Sequence, residues 1–141
     1  MDLLFICRDA VENSIIANIG VALEAKRRGR DVAVLFTEEA LAGLNGRGFT
    51  WSRLFLDRPS RITISRGATE LGLPIASERD DRWTDLPRLL AHAHEAGVRL
   101  LACPIWSQIL GVDGDLPDVI ERVNTDELMS ALETAKVIGS Y

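Results

Sequence analysis

The chain has 141 residues, 47% of them apolar, and a formal net charge of −5. That apolar content is ordinary for a globular domain and excludes a disordered chain, and the length suffices to bury roughly two thirds of the unfolded-chain surface. The acidic balance argues against nucleic-acid binding as the main activity, and no apolar run approaches the ~18 residues of a membrane span.

Leu3-Leu4-Phe5-Ile6-Cys7 reads as a first buried strand. Neither a basic region nor a cleavage site precedes it, so the expected location is the cytoplasm. Two cysteines, Cys7 and Cys103, then point to free thiols in a reducing compartment. Asp9 is placed to cap a following helix, with Glu12 completing a capping-box-like pair. Val11, Ile15, Ile19, Ala22 and Leu23 give that helix an apolar face, and Gly29 stops it behind Lys26, Arg27 and Arg28. Gly20, costly inside a helix, predicts close packing on the sheet. Val32-Ala33-Val34-Leu35-Phe36 is the second strand, which completes a parallel, right-handed strand–helix–strand unit.

Thr37 is expected to cap a short helix through Leu44. The Asn45–Arg82 segment is irregular and carries seven arginines against five acids, interleaved with Phe49, Trp51 and Phe55. Arginine with aromatic residues suits an anion or nucleotide site, but the favoured reading is a lid or subunit contact, where these residue types are enriched. The stretch from Phe49 to Arg66 is expected to be partly buried between subunits, because Trp51 and Phe55 are costly to expose as one patch. A helix is expected over Ser60–Leu71, ended by Gly72. Asp85 caps a clearer one, with Pro87 in its first turn and Leu86, Leu89, Leu90, Ala93 and Ala96 as its buried face. His92 and His94, two apart, point to different flanks and cannot share a metal.

The most informative stretch is Val98–Val112. Val98 to Ala102 has the length and composition of a strand buried on both faces. Cys103 follows, then Pro104, favoured as a first helical residue, with Gly111 as the stop. Cys103 is thus placed as the N-cap of a short helix at a strand's C-terminal end. Unpaired helix N–H groups favour a thiolate, the form that attacks sulfur or carbon electrophiles. The other reading is an inert buried cysteine that packs as a small hydrophobe.

Asp113 and Asp115 hint at a calcium loop, but Pro117 and the missing glutamate break that pattern. Val119–Val123 is a short fourth strand. Thr125 caps a last helix with Leu128, Ala131, Leu132 and Ala135 inward, and Lys136–Ser140 is the final strand. Gly43-Leu-Asn-Gly46-Arg-Gly48 does not open a helix after a strand, so it is neither a dinucleotide fingerprint nor a P-loop. Cys103-Pro-Ile-Trp106 lacks the second cysteine of a thioredoxin motif. No zinc-ligand spacing or nucleophile elbow is present, and no metal or cofactor is expected.

The order strand, long helix, strand, then a late strand ending Leu100-Leu-Ala-Cys103 with Gly111 beyond resembles the DsrE/DsrF-like family. That family includes sulfur-relay subunits of tRNA thiolation and microbial sulfur oxidation. The resemblance runs through Leu3–Leu44 and Leu86–Ser140. It implies a single three-layer α/β/α domain over residues 1–141 with a mostly parallel five-stranded sheet, flavodoxin-like in outline. It also implies a homo-oligomer, trimeric or hexameric, exchanging sulfur with donor and acceptor proteins. Cys103 falls on the family's persulfide-forming cysteine. The Asn45–Arg82 segment is longer and richer in arginine than in the compact relay subunits, and no cysteine lies near the C-terminus.

Two functions follow as expectations. One is a sulfurtransferase-like carrier taking sulfane sulfur on Cys103. The other is a non-catalytic ligand-binding or oligomer-forming module of the same fold. The expected site is a crevice at the C-terminal strand ends formed by Cys7, Arg8, Asp9, Thr37, Cys103 and Trp106. Arg8 would attract an anionic donor, and Trp106 would screen the persulfide. Asp9 either joins the site or only caps its helix. If the strands ending in Cys7 and Cys103 are neighbours, about 4.8 Å apart, their sulfurs approach disulfide distance.

Overall fold

The computed structural model describes residues 1–77, 84–112 and 114–139. Five parallel strands form one sheet: β1 (Leu3–Cys7), β2 (Val32–Phe36), β3 (Arg99–Ala102), β4 (Glu121–Arg122) and β5 (Lys136–Ile138), in the order β4-β3-β2-β1-β5. Six α-helices connect them: α1 (Glu12–Arg27), α2 (Glu38–Ala42), α3 (Arg58–Glu70), α4 (Leu86–Glu95), α5 (Pro104–Leu110) and α6 (Thr125–Thr134). No helix among the described residues is long and apolar enough to cross a membrane.

The three central strands are apolar because both of their faces are covered. Side chains alternate between the faces. Phe5, Cys7, Val32, Val34, Phe36, Leu100 and Ala102 pack with Ile15 and Ile19 of α1, Ala40 and Leu41 of α2, Ala68 of α3, and Leu89, Leu90 and Ala93 of α4. Leu4, Ala33, Leu35, Leu101 and Cys103 pack on the other face with Leu128 and Ala131 of α6. Trp106 of α5 touches both clusters. The result is the three-layer α/β/α arrangement.

Asp85 accepts from the backbone N–H of Arg88 and starts α4 where the local signal puts it. The preceding helix, expected over Ser60–Leu71, starts earlier, at Arg58, because Asp57 caps it by accepting from the Ser60 N–H. Gly111, with φ 64, ends α5. The last helix is capped one residue earlier than expected, by Asn124 rather than Thr125, through a reciprocal capping box with Glu127. Lys136–Ser140 is strand only as far as Ile138, and Ser140 lies outside the described residues. So do Asp113 of the hinted calcium loop and residues 78–83 of the arginine-rich segment.

Asp9 does not cap α1. The helix begins later, after Val11, and the N–H of Glu12 donates to the carbonyl of Thr50 at 2.7 Å. Thr50 N–H in turn donates to Ala10, and Ser52 N–H to the side chain of Asn13. This strip explains Trp51, which lies buried within its own chain and needs no partner subunit to cover it. Phe55 is half-buried, whereas Leu54 and Leu56 are exposed. Helix α1 also buries polar residues that its apolar periodicity does not reveal: Ser14, and Asn18, whose amide donates to the Ser14 carbonyl at 2.8 Å. Gly20 answers to the arginine-rich segment rather than to the sheet. A Cβ there would lie 3.3 Å from the end of Leu73.

Candidate functional site at the C-terminal strand ends

Cys7, Thr37 and Cys103 do gather on the C-terminal edge of the sheet. Thr37 N–H donates to the Cys7 carbonyl at 3.1 Å, and Cys103 N–H to the Phe36 carbonyl at 3.0 Å. The edge order is therefore Cys7, Thr37, Cys103, with β2 between the two cysteines. Two strand spacings put β1 and β3 roughly 10 Å apart, too far for a disulfide. The register separates the thiols further. Cys7 is level with Phe36, and Phe36 with Ala102, so Cys103 lies one residue beyond and faces the opposite layer. The expected shared crevice divides into two places.

The first is at the ends of β1 and β2. Here Arg8, Asp9, Glu38 and Glu39 line an open polar hollow of about 310 Å³. Arg8 Nε donates to Glu38 Oε2 at 2.6 Å, so the guanidinium expected to attract an anionic donor already has a carboxylate partner. Asp9 keeps one buried carboxylate oxygen, Oδ1, without a hydrogen-bond partner. The sheet order reverses between β1 and β5, on the side of β1 away from β2 and Cys103. Cys7 adds no nucleophile to the hollow. Burial, with the Asp9 charge as a second cause, pushes its thiol up to about 12. Cys7 serves as packing.

Glu38 and Glu39 were not among the residues expected at the site. Their position directly after Thr37, at the end of β2, was the available signal. Glu38 holds φ at 52, the sole positive φ of a non-glycine residue among the described residues. Such a backbone costs roughly 1–2 kcal/mol, which glycine avoids. Glu38→Gly is expected to leave stability unchanged or raise it by up to about 1 kcal/mol, the exposed Arg8 pair offsetting little. Glu39→Gly, one residue further into α2, should cost about 1 kcal/mol. Urea midpoints of the two variants check the contrast, and equal losses would mean that Glu38 is unstrained.

The second place is the start of α5. Cys103 is the N-cap residue, its side chain makes no capping hydrogen bond, and Pro104 fills the first helical position. Cys103 as a whole residue is 6% exposed and packs among Leu35, Leu101, Val123, Leu128 and Trp106. Such soft, apolar surroundings suit a polarisable sulfur. Ser107 lies four residues on, hence on the same side of the helix. Its Oγ is buried and has no hydrogen-bond partner. Ser107 was overlooked in the sequence, although its spacing from Cys103 is legible there. Ile105, Ile109 and Leu110 present apolar surface on the outside of α5.

No family model matches the chain, and no curated protein matches it at a significant level. Among solved structures it is similar to a conserved protein of unknown function from Bacteroides thetaiotaomicron. The identity is 11% and the TM-score 0.58, over 98% of this chain and 93% of that one. At that identity the likeness is one of fold, and it spans the whole α/β/α arrangement.

Proposed function

We propose that the protein is a sulfur carrier, similar to the relay subunits of the DsrE/DsrF-like family, in which Cys103 takes up sulfane sulfur. One observation carries this reading: Cys103 stands at the N-cap of α5 behind Pro104 and is the less enclosed of two buried cysteines, 6% exposed where Cys7 is 0%. The Cys103 thiolate attacks the outer sulfur of a donor persulfide, the donor S–S bond breaks, and the donor leaves as its thiolate. An acceptor thiolate then attacks the outer sulfur on Cys103, takes it as a new persulfide and returns Cys103 to the thiolate. Both steps are redox-neutral exchanges and need no cofactor. Ser107 is the donor available to the outer sulfur, and Trp106 screens it from water. The carrier works in the cytoplasm as a homo-oligomer with partner donor and acceptor proteins.

The test is intact mass after incubating the reduced protein with glutathione persulfide. The wild type and Cys7→Ser should each gain one sulfur atom, and Cys103→Ser none. Ser107→Ala should gain it more slowly. A wild type that takes up no sulfur, or a Cys103→Ser variant that still does, ends the proposal.

A second reading, a non-catalytic oligomer-forming module, is favoured by one feature. Ile105 and Ile109 of α5 and Met129 of α6 expose apolar surface. Under that reading sedimentation shows self-association that Ile105→Asp abolishes, and Cys103 stays unmodified by the persulfide.

A further inference from the structure

A second concave feature lies away from the strand ends, on the outer side of α1. Between α1, the end of α4 and the turn after α3 runs a groove of about 810 Å³, within the roughly 300–1,000 Å³ range of small-molecule pockets. Its walls are unlike at its two ends. Ile16, Ala17, Gly20, Val21 and Leu73 make one end apolar. Gly20 keeps this end open, because any side chain there would enter the groove against Leu73. One helical turn further along α1 the groove is lined by Glu24, Lys26 and Arg27.

The charges at that end do not cancel. The Glu24 carboxylate takes Arg27 at 2.6 Å and Arg28 at 2.9 Å, which leaves it answering two guanidiniums at once. These pairs hold the Glu24 carboxyl down to about 2, so it stays ionised and committed to them. Lys26 has no ion-pair partner among the described residues. Its stem crosses Gly97, where a Cβ would lie 2.9 Å from Lys26 Cε. Lacking that Cβ, Gly97 lets the Lys26 stem lie between α1 and the C-terminal end of α4. Two lining cations, Lys26 and Arg27, against the one Glu24 carboxylate, which Arg28 also engages from outside the groove, thus close an apolar channel in a chain whose net charge is −5.

We propose that this groove is a binding site for a single-chain anionic amphiphile, a long-chain carboxylate, with its tail along Ile16, Gly20 and Leu73 and its head at Lys26. An apolar wall ending in a local cationic cluster matches that chemistry at both ends. The overall acidity of the chain disfavours the obvious alternative source of the same headgroup charge, an anionic membrane surface. The site is independent of Cys103 and of the sulfur-carrier reading.

Calorimetric titration with monomeric dodecanoate tests it, with acetate as the tail-less control and dodecyltrimethylammonium as the control of opposite charge. The wild type should bind dodecanoate saturably at one site, and acetate not at all. Dodecyltrimethylammonium should bind at least about threefold more weakly than dodecanoate. Gly20→Leu, which fills the channel by pushing against Leu73, should weaken dodecanoate at least about tenfold. Val21→Glu, at an exposed position on the rim, gives a second blocking variant that leaves the core untouched. Lys26→Gln should weaken dodecanoate several-fold and leave the ammonium compound unaffected. Absence of saturable binding, or binding undiminished in both Gly20→Leu and Val21→Glu, overturns the proposal. So does equal affinity for the two amphiphiles, or a wild-type dimer that Gly20→Leu dissociates, because a second copy would then fill the groove.

Discussion

With Cys7 as the only thiol, in a Cys103→Ser variant, alkylation by iodoacetamide at about pH 8 is expected to run about a thousandfold more slowly than for a free cysteine. The rise of the Cys7 thiol from an ordinary 9.0 to about 12 alone cuts the thiolate fraction by that factor. Burial at 0% exposure adds a barrier to the reagent. The same rise carries a stability consequence. Between about pH 9 and pH 12 the folded chain retains the Cys7 proton and the unfolded chain loses it, so stability falls as pH climbs through that window. Below about pH 9 both states hold the proton and the contribution is fully present. Cys7→Ala should therefore show a shallower alkaline loss than the wild type. A folded Cys103→Ser variant that labels within about tenfold of a free thiol would show that Cys7 is accessible, and the division of the two cysteines would fail.

Phe5→Ala is expected to lower the folding equilibrium constant by roughly two to four orders of magnitude, a loss of about 3–5 kcal/mol. Phe5 is fully buried on β1, which lies between β2 and β5 in the sheet. It is level with Val34 on one side and Ile138 on the other, and Ile15 and Ile19 of α1 belong to the same cluster. Removing the ring leaves a cavity beneath two elements that cannot both collapse into it. Against a total stability of about 5–15 kcal/mol the loss is severe. Urea unfolding should show a much lower midpoint at an unchanged slope. Leu71→Ala, at a side chain 80% exposed, should stay within about 0.5 kcal/mol of the wild type. Should the two variants cost the same, β1 is not the centre of the fold.

Much of this architecture was legible in the amino-acid order. Leu3–Cys7 and Val32–Phe36 stood out because a strand covered on both faces is an uninterrupted apolar run, and the helix between them required a parallel crossover. The cap at Asp85 follows the same logic, since a capping side chain reaches an N–H only three residues away. Asp9 offered the same local signal and failed. The N–H of Glu12 is taken by Thr50, a residue distant in the chain. Trp51 was misjudged for the same reason, because its cover comes from contacts that no local pattern encodes.

The candidate site divides along the same line. That Cys7, Thr37 and Cys103 end strands was determined by short-range periodicity, and so they share one edge. Which strands are neighbours, and in what register, was decided only by the tertiary structure. With β2 between β1 and β3, and Cys103 one residue past the level of Cys7, the alternation of a pleated strand turns the two thiols to opposite layers. Lateral order and register are set by the joint packing of helices on both faces of the sheet, a long-range balance that has no local imprint on the residues around either cysteine.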